Sequence, residues 1–346
     1  MYKRLNCDFY FGDSLKENIK SFDPKTLGGF KGLLRNVYIL GEFYYWSGML
    51  SKVFKYKTFI VEGEPYGLST WFFLISARIL SKDVYVWSHG WYGRESLIKK
   101  MIKKIFFNLS KSVLLYGDYA RDLMKLNGFP DNKLVSIYNS LDYDKHKFIR
   151  KTLCKTDILE KLFNNDLPTV IYVGRIQKRK RIDLLIESIK QLNANKPIIN
   201  LLIVGANSNA FEFSEYSENI LFYGPCYDEE YLAHLFYNSA VCVTPGDIGL
   251  TAIHSMSFGT PVITHNNFMI QGPEFESIIE GETGSFYEFG NVDSLKSVIF
   301  KLANLDDAMR DQVRRNCFDM VDRRYNPYNQ IDILCKVLRK NEYSSN

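Results

Sequence analysis

Two short stretches carry the residue types that grip an anion. "VGRIQKRKR", residues 173–181, leaves an apolar, β-rich run through Gly174 and then offers Arg175, Lys178, Arg179, Lys180 and Arg181. An arginine fork meets phosphate oxygens in pairs, and a lysine adds a mobile point charge. Arg175 falls at the strand's end and Lys180 where the next helix begins, which lets both reach one anion. The second stretch, "PGDIGLTAIHSMSFGTPVI", residues 245–263, follows the apolar run "VCVT". Pro245 and Gly246 stop that strand, Gly249 precedes a helical pattern ending at Gly259, and "TPVIT" opens another strand. A strand, a glycine-bearing loop and a helix start gather unpaired backbone N–H groups, the arrangement that attracts phosphate. Neither GxGxxG nor GxxxxGK[ST] occurs, which disfavours a dinucleotide dehydrogenase and a P-loop enzyme.

These loops need a frame, and the chain supplies one twice. "CDFYFGD", "TFIVEGE", "DVYVWSHG" and "SVLLYGD" alternate with helical patterns in the first half; "TVIYVGR", "INLLIVGAN", "NILFYG", "VCVTPGD" and "TPVITH" do so in the second. Such alternation predicts parallel sheets built from βαβ units. At 346 residues the chain exceeds the roughly 250 to 300 over which one core keeps growing, so two domains are expected. Residues 143–168 are polar, lack the alternation and read as the connection. Ligands of open parallel sheets sit beyond the carboxyl ends of the strands, which points to the cleft between the two sheets.

The six cysteines form no CxxC pair and no metal-spaced Cys/His cluster, so they read as reduced thiols of a cytoplasmic protein, and no metal site is expected. "WFFLISARIL" is too short, and too interrupted by Arg78, to cross a membrane; the amino terminus lacks a signal-type apolar segment. The first 150 residues hold 24 Lys+Arg against 14 Asp+Glu, a net of +10, while the remainder carries −5. A basic half of this kind meets an anionic surface. Residues 94–111 supply it: Leu97, Ile98, Met101, Ile102, Ile105, Phe106 and Leu109 share one helical face, with Lys99, Lys100, Lys103, Lys104 and Lys111 elsewhere. The expectation is an apolar face in the core with the lysines toward lipid headgroups, a peripheral contact on the inner face of the membrane. Nothing matches a recognition helix, an RNP element or a zinc module, so no nucleic acid partner is expected.

The segments "VIYVGRIQKRKRIDLLIESI", "PGDIGLTAIHSMSFGTPVIT" and "IIEGETGSFY", with "SHG" and "YNSLD" more weakly, together resemble the retaining group 1 glycosyltransferases, glycosyltransferase family four, in the same order along the chain. That resemblance implies the α/β GT-B fold, two Rossmann-like parallel-sheet domains facing each other across a cleft. It gives residues 1–145 as the acceptor-side domain, lacking the usual first β-α unit, and 146–324 as the nucleotide-sugar domain. Residues 325–346 follow as a helix returning to the first domain. It implies a metal-independent hexosyltransferase that moves a sugar from a UDP- or GDP-linked donor, with no further cofactor, to a glycan or lipid-linked acceptor in surface polysaccharide biosynthesis. Arg175 and Lys180 match the diphosphate-binding pair and Ile248, Gly249 and Leu250 the loop on phosphate and sugar. Gly174, Gly205, Tyr223 and Gly224 fall where the nucleoside and its strand ends lie. His89 matches the histidine opposite the donor, and Asn139 a position near the cleft.

The chain departs from that family at its two glutamates, where it has Gly246 and His254. A neutral imidazole both accepts and donates, so His254 can take over the ribose hydroxyls. No carboxylate remains at Gly246; Asp247 is adjacent, and Glu274 and Glu276 follow the next strand, Glu276 being nearer to the family's usual glutamate. These departures keep two other readings open: a GT-B-like sugar-nucleotide epimerase, and a noncatalytic protein that binds sugar nucleotides or glycans.

Overall fold

The computed structural model describes residues 2–13, 23–207 and 218–340; residues 1, 14–22, 208–217 and 341–346, which the predicted domains and the predicted helix 325–346 include in part, lie outside the described residues. The chain divides into two compact units. One takes the chain up to Ile137 and again from Ile331 onward; the other is Tyr138–Gln330. The passage between them therefore falls before 143–168, and that stretch folds into helices of the second unit.

The first unit opens with a short helix α1 (Tyr2–Leu5) and the strands β1 (Phe9–Gly12), β2 (Phe30–Leu40) and β3 (Phe43–Ser47). β1 runs parallel to β2, and β2 antiparallel to β3. Gly41, at φ 60°, supplies the left-handed residue of the two-residue turn between β2 and β3. A second sheet holds β4 (Thr58–Glu62), β5 (Asp83–Ser88), β6 (Ser112–Leu115) and β7 (Leu134–Ser136), all parallel in that order. Helices α2 (Leu68–Ile79), α3 (Leu97–Asn108) and α4 (Asp118–Leu126) connect them. Val84, Val86, Val113 and Leu115 pack on one face against Phe73, Leu74, Phe106, Phe107 and Met124. Tyr85 and Leu114 pack on the other against Ile331 and Leu334 of α12 (Pro327–Lys340). Each such buried side chain contributes about 1.5 to 3 kcal/mol.

The amphipathic helix α3 departs from expectation. Only Phe106 and Phe107 are buried, whereas Leu97 is 84% exposed and Ile98, Met101, Ile102 and Ile105 also face solvent. Lys103 turns inward instead, its Nζ 2.8 Å from the Gly90 carbonyl oxygen and 2.9 Å from Glu95 Oε1. The sheet needs only one turn of this helix to cover it, so the rest of the apolar stripe is left outside.

The second unit is one six-stranded parallel sheet flanked by helices. In chain order its strands are β8 (Thr169–Val173), β9 (Asn200–Val204), β10 (Ile220–Gly224), β11 (Val241–Val243), β12 (Val262–His265) and β13 (Gly284–Tyr287). Its helices are α5 (Tyr143–Arg150), α6 (Ile158–Phe163), α7 (Ile182–Leu192), α8 (Glu229–Asn238), α9 (Thr251–Ser257), α10 (Val292–Ala303) and α11 (Asp307–Arg323). The strands read as nearly continuous apolar runs because helices bury both faces. The spatial order is β10-β9-β8-β11-β12-β13, so the winding reverses between β8 and β11. Those two are hydrogen-bonded neighbours, with Val241 opposite Val170 and Cys242 opposite Ile171.

Candidate functional site

The reversal of winding puts two loops side by side at the carboxyl edge of the second unit's sheet, the place where doubly wound folds bind ligands. The loop after β8 carries Gly174, Arg175 and Lys180, and the loop after β11 carries residues 245–250. They are tied together. Gly246 donates its N–H to the Lys180 carbonyl at 2.9 Å, and Thr251 Oγ1 donates to the Val173 carbonyl at 3.2 Å. Lys180 Nζ donates to the Asp247 carbonyl at 2.6 Å and lies 3.5 Å from Asp247 Oδ1, while Arg179 pairs with the same carboxylate. Burial pushes the Lys180 amine below the ordinary lysine value, Asp247 opposes this, and the nearby charges of Arg179 and Arg175 lower it further. Arg175 is thus close enough for its charge to be felt at Lys180, on an exposed residue.

The physical reason for glycine at 246 is visible here. A Cβ on it would stand 1.9 Å from the Arg179 carbonyl oxygen and 2.6 Å from Lys180 Cα, so no side chain, glutamate included, fits between the loops. Another carboxyl lies beside this loop. Glu274, on the turn Pro273–Ser277, is buried, and its Oε2 lies 4.0 Å from where a Cβ on Gly249 would sit. Asn139 Nδ2 donates to its Oε1 at 2.8 Å. Burial raises the Glu274 carboxyl, while Asn139 and the charge of Lys180 oppose the rise. Glu276, two residues on, is half-buried, and the charges of both glutamates act on the Tyr325 hydroxyl.

Of the loop's backbone donors, Ile248 N–H is taken by Gln271 Oε1 at 2.7 Å. Among the described residues the N–H groups of Gly249 and Leu250 have no hydrogen-bond partner. With α9 only seven residues long, these two groups matter more than a helix dipole. The two loops therefore carry a lysine whose charge reaches Glu274, an exposed arginine whose charge reaches that lysine, two open N–H donors, and, beside Gly249, a buried carboxyl. That set can hold a polyphosphate and, beside it, a hydroxyl-bearing group.

The remaining sequence candidates lie around this centre or apart from it. Gly205 follows β9 at φ 158°, where a Cβ would lie 1.8 Å from the Gly174 carbonyl oxygen, so these strand ends touch only because residue 205 is glycine. Tyr223 and Gly224 end β10, one strand further out; the Tyr223 ring stacks on Tyr231 at 5.7 Å. His254, one turn into α9, faces α8 and α5: its Nε2 is 2.6 Å from Glu229 Oε1, which leaves Nδ1 for any ribose hydroxyl. His89 belongs to the first unit. It directly follows β5, beside Tyr116, with ring centroids 4.6 Å apart, and burial pushes it below the ordinary histidine value, so it is neutral at pH 7. The His146, Glu229 and His254 cluster was not legible in sequence, because its members lie on three helices far apart in the chain.

Comparison with known proteins decides the fold and supports the family. Residues 155–318 match the family model described as glycosyl transferases, group 1. A capsular polysaccharide biosynthesis glycosyltransferase, CapM, of Staphylococcus aureus is 28% identical over 54% of this chain and 49% of its own. An uncharacterized 41.2 kDa protein in the cps region of Klebsiella pneumoniae is 28% identical over 66% of this chain and 58% of its own. The chain thus spans about half the length of these curated relatives. Among solved structures, Anabaena HepE in complex with UDP superposes with a TM-score of 0.64 at 14% identity, covering 85% of this chain and 80% of its own. A glycosyltransferase from Rickettsia africae does so with a TM-score of 0.64 at 17% identity, over 83% and 78%. The fold is GT-B, and the matches support a group 1 glycosyltransferase. Among the described residues no helix is long and apolar enough to cross a membrane.

Proposed function

We propose that this chain is a retaining, metal-independent hexosyltransferase that transfers a sugar from a UDP- or GDP-sugar to a glycan or lipid-linked acceptor in surface polysaccharide assembly. The observation that supports the reading is that the loop bearing Arg175 and Lys180 is tied to the loop bearing the open N–H groups of Gly249 and Leu250 where the sheet reverses its winding. The naming of the Staphylococcus relative, and the UDP held by the Anabaena structure, support the pathway and the donor class.

As the bond from the anomeric carbon to the diphosphate oxygen breaks, negative charge collects on the diphosphate. Arg175, Lys180 and the two amides offset it in place; one such preorganised contact is worth about 10² to 10³ in rate. The acceptor hydroxyl attacks from the same face, its oxygen bonds to the anomeric carbon, and its proton passes to the departing diphosphate oxygen, which retains configuration. Glu274 supplies the carboxyl that Gly246 cannot, toward the sugar hydroxyls, while Gly174, Gly205 and Tyr223 serve the nucleoside. The first unit, with His89, is assigned the acceptor. It exposes a stripe of Leu97, Ile98, Met101 and Ile105 on α3, and Phe72, Ile75 and Ile79 of α2 also face solvent. The helices are neighbours, Arg78 Nη1 donating to the Asn108 carbonyl at 3.2 Å. With Lys99 and Lys104 exposed beside it, this patch fits an anionic lipid surface on the cytoplasmic side.

Incubation with a panel of UDP- and GDP-sugars and oligosaccharide or lipid-linked acceptors tests the proposal, with product anomers read by NMR. Transfer with retained configuration is expected. Release of an epimerised sugar without acceptor would instead establish an epimerase, and donor binding with neither hydrolysis nor transfer a binding protein.

A further inference from the structure

Three helices of the second unit point metal-ligating side chains at one spot. His146 comes from α5, Glu229 is the first residue of α8, and His254 lies in α9. His146 Nε2 and His254 Nε2 stand 3.0 and 2.6 Å from the same oxygen, Glu229 Oε1. One ligand atom from each residue lies within 4.8 Å of the others. The imidazoles are fixed before any ion arrives. Their rings stack with centroids 5.1 Å apart at 14°, and Phe258 and Phe236 each hold one of them at 5.1 Å. His146 is only 4% exposed, while the Glu229 and His254 side chains keep 24% and 18%, so the spot has one side open to solvent.

We propose that His146, Glu229 and His254 form a binding site for a divalent transition metal of the zinc type, separate from the diphosphate loops. Two imidazole nitrogens and one carboxylate are a donor set that zinc takes up at about 2.0 to 2.2 Å, with a fourth position left to water. Ligand atoms of a tetrahedral zinc site are about 3.3 Å apart, so the observed 2.6 and 3.0 Å must open by less than about 1 Å. The Glu229 side chain, at the solvent side and at a helix start, can retreat by that much, and the ring nitrogens, within 4.8 Å of each other, need to close by no more than about 1.5 Å. Both imidazoles then carry their proton on Nδ1. His146 Nδ1 has no hydrogen-bond partner among the described residues. Second-shell partners are worth about 10- to 100-fold in affinity, so this site binds zinc more weakly than a fully supported one. Bound metal would clasp α5 to α8 and α9, cross-linking the start of the second unit to the helix that follows residues 249 and 250.

Cobalt titration of the chelator-treated, full-length protein reads this directly. One equivalent per chain should give the visible d–d absorption of four-coordinate cobalt without a thiolate charge-transfer band, which separates the site from the exposed Cys154. Zinc should displace the cobalt and, at a hundredfold excess over its Kd, raise Tm by about 5 to 10 °C. Glu229→Gln, which keeps the side chain's size, and His254→Asn should each abolish the band and the zinc-dependent rise while the circular dichroism spectrum stays that of the parent. Absence of the band from the parent protein, or its persistence in both variants, overturns the proposal. UDP binding measured with and without metal keeps this outcome distinct from that of the transferase reading, on which the proposal does not rest.

Discussion

Alanine at position 246 is the sharpest mechanical probe of how the two loops are joined. The added methyl would sit 1.9 Å from the Arg179 carbonyl oxygen, against the 3.4 Å at which ordinary contact begins, so the chain must open by roughly 1.5 Å. Both obstructing groups are backbone, and neither can swing aside as a side chain would. Opening the gap also breaks the 2.9 Å hydrogen bond from Gly246 N–H to the Lys180 carbonyl. Overpacking costs about 1 to 3 kcal/mol and the lost bond about 0.5 to 1.5, together about 1.5 to 4.5. For a unit of roughly 190 residues this lowers Tm by about 3 to 18 °C. Lys180 and the Gly249 amide separate at the same time, so nucleoside diphosphate binding should weaken as well. Differential scanning fluorimetry and isothermal titration calorimetry on Gly246→Ala measure the two effects. A Tm within 1 °C of the parent with unchanged UDP and GDP affinity refutes the close apposition of these loops, and with it the steric reason for glycine at 246.

Asp247 neutralises Lys180 and Arg179, so Asp247→Asn should tighten nucleoside diphosphate binding about two- to fivefold by calorimetry; weaker binding would show that the carboxylate itself touches the ligand. His265 is fully buried, and burial pushes it down to about 4 from an unfolded value near 6.5. Its neutral form therefore adds stability that is present above pH 6.5 and lost as pH falls toward 4, so His265→Asn should flatten the Tm profile over that window; parallel profiles would contradict this. Replacing Leu97, Met101 and Ile105 together by serine should cut binding to phosphatidylglycerol vesicles about tenfold or more with Tm unchanged, since all three are exposed; equal vesicle binding would remove the membrane assignment.

What the sequence revealed, and what it hid, follows the range of the forces involved. Apolar runs such as "TVIYV" and "LLIVG" announce strands buried on both faces, and Gly174 and Gly246 announce loops, because these signals are local. The strands β2 and β3 escaped because "FKGLLRNVYIL" opens on a glycine-rich stretch and mixes buried with exposed positions, and its pairing with "FYYWS" rests on the turn at Gly41. Periodicity found the apolar stripe of α3 but could not say which side the sheet would cover; Phe106 and Phe107 at its end meet that need alone. The pairing of Glu274 with Asn139 spans 135 residues, so no spacing rule marks Glu274 over Glu276.

In the proposed transferase, Arg175, Lys180 and the amides of Gly249 and Leu250 grip a diphosphate. Equilibrium binding of UDP, GDP and their monophosphates to the parent protein and to Arg175→Ala and Lys180→Ala tests it most directly. One nucleoside diphosphate should bind at least about tenfold tighter than its monophosphate, and each substitution should cost about 10- to 100-fold while Tm holds. Equal affinity for diphosphate and monophosphate, or diphosphate binding indifferent to both substitutions, would contradict it.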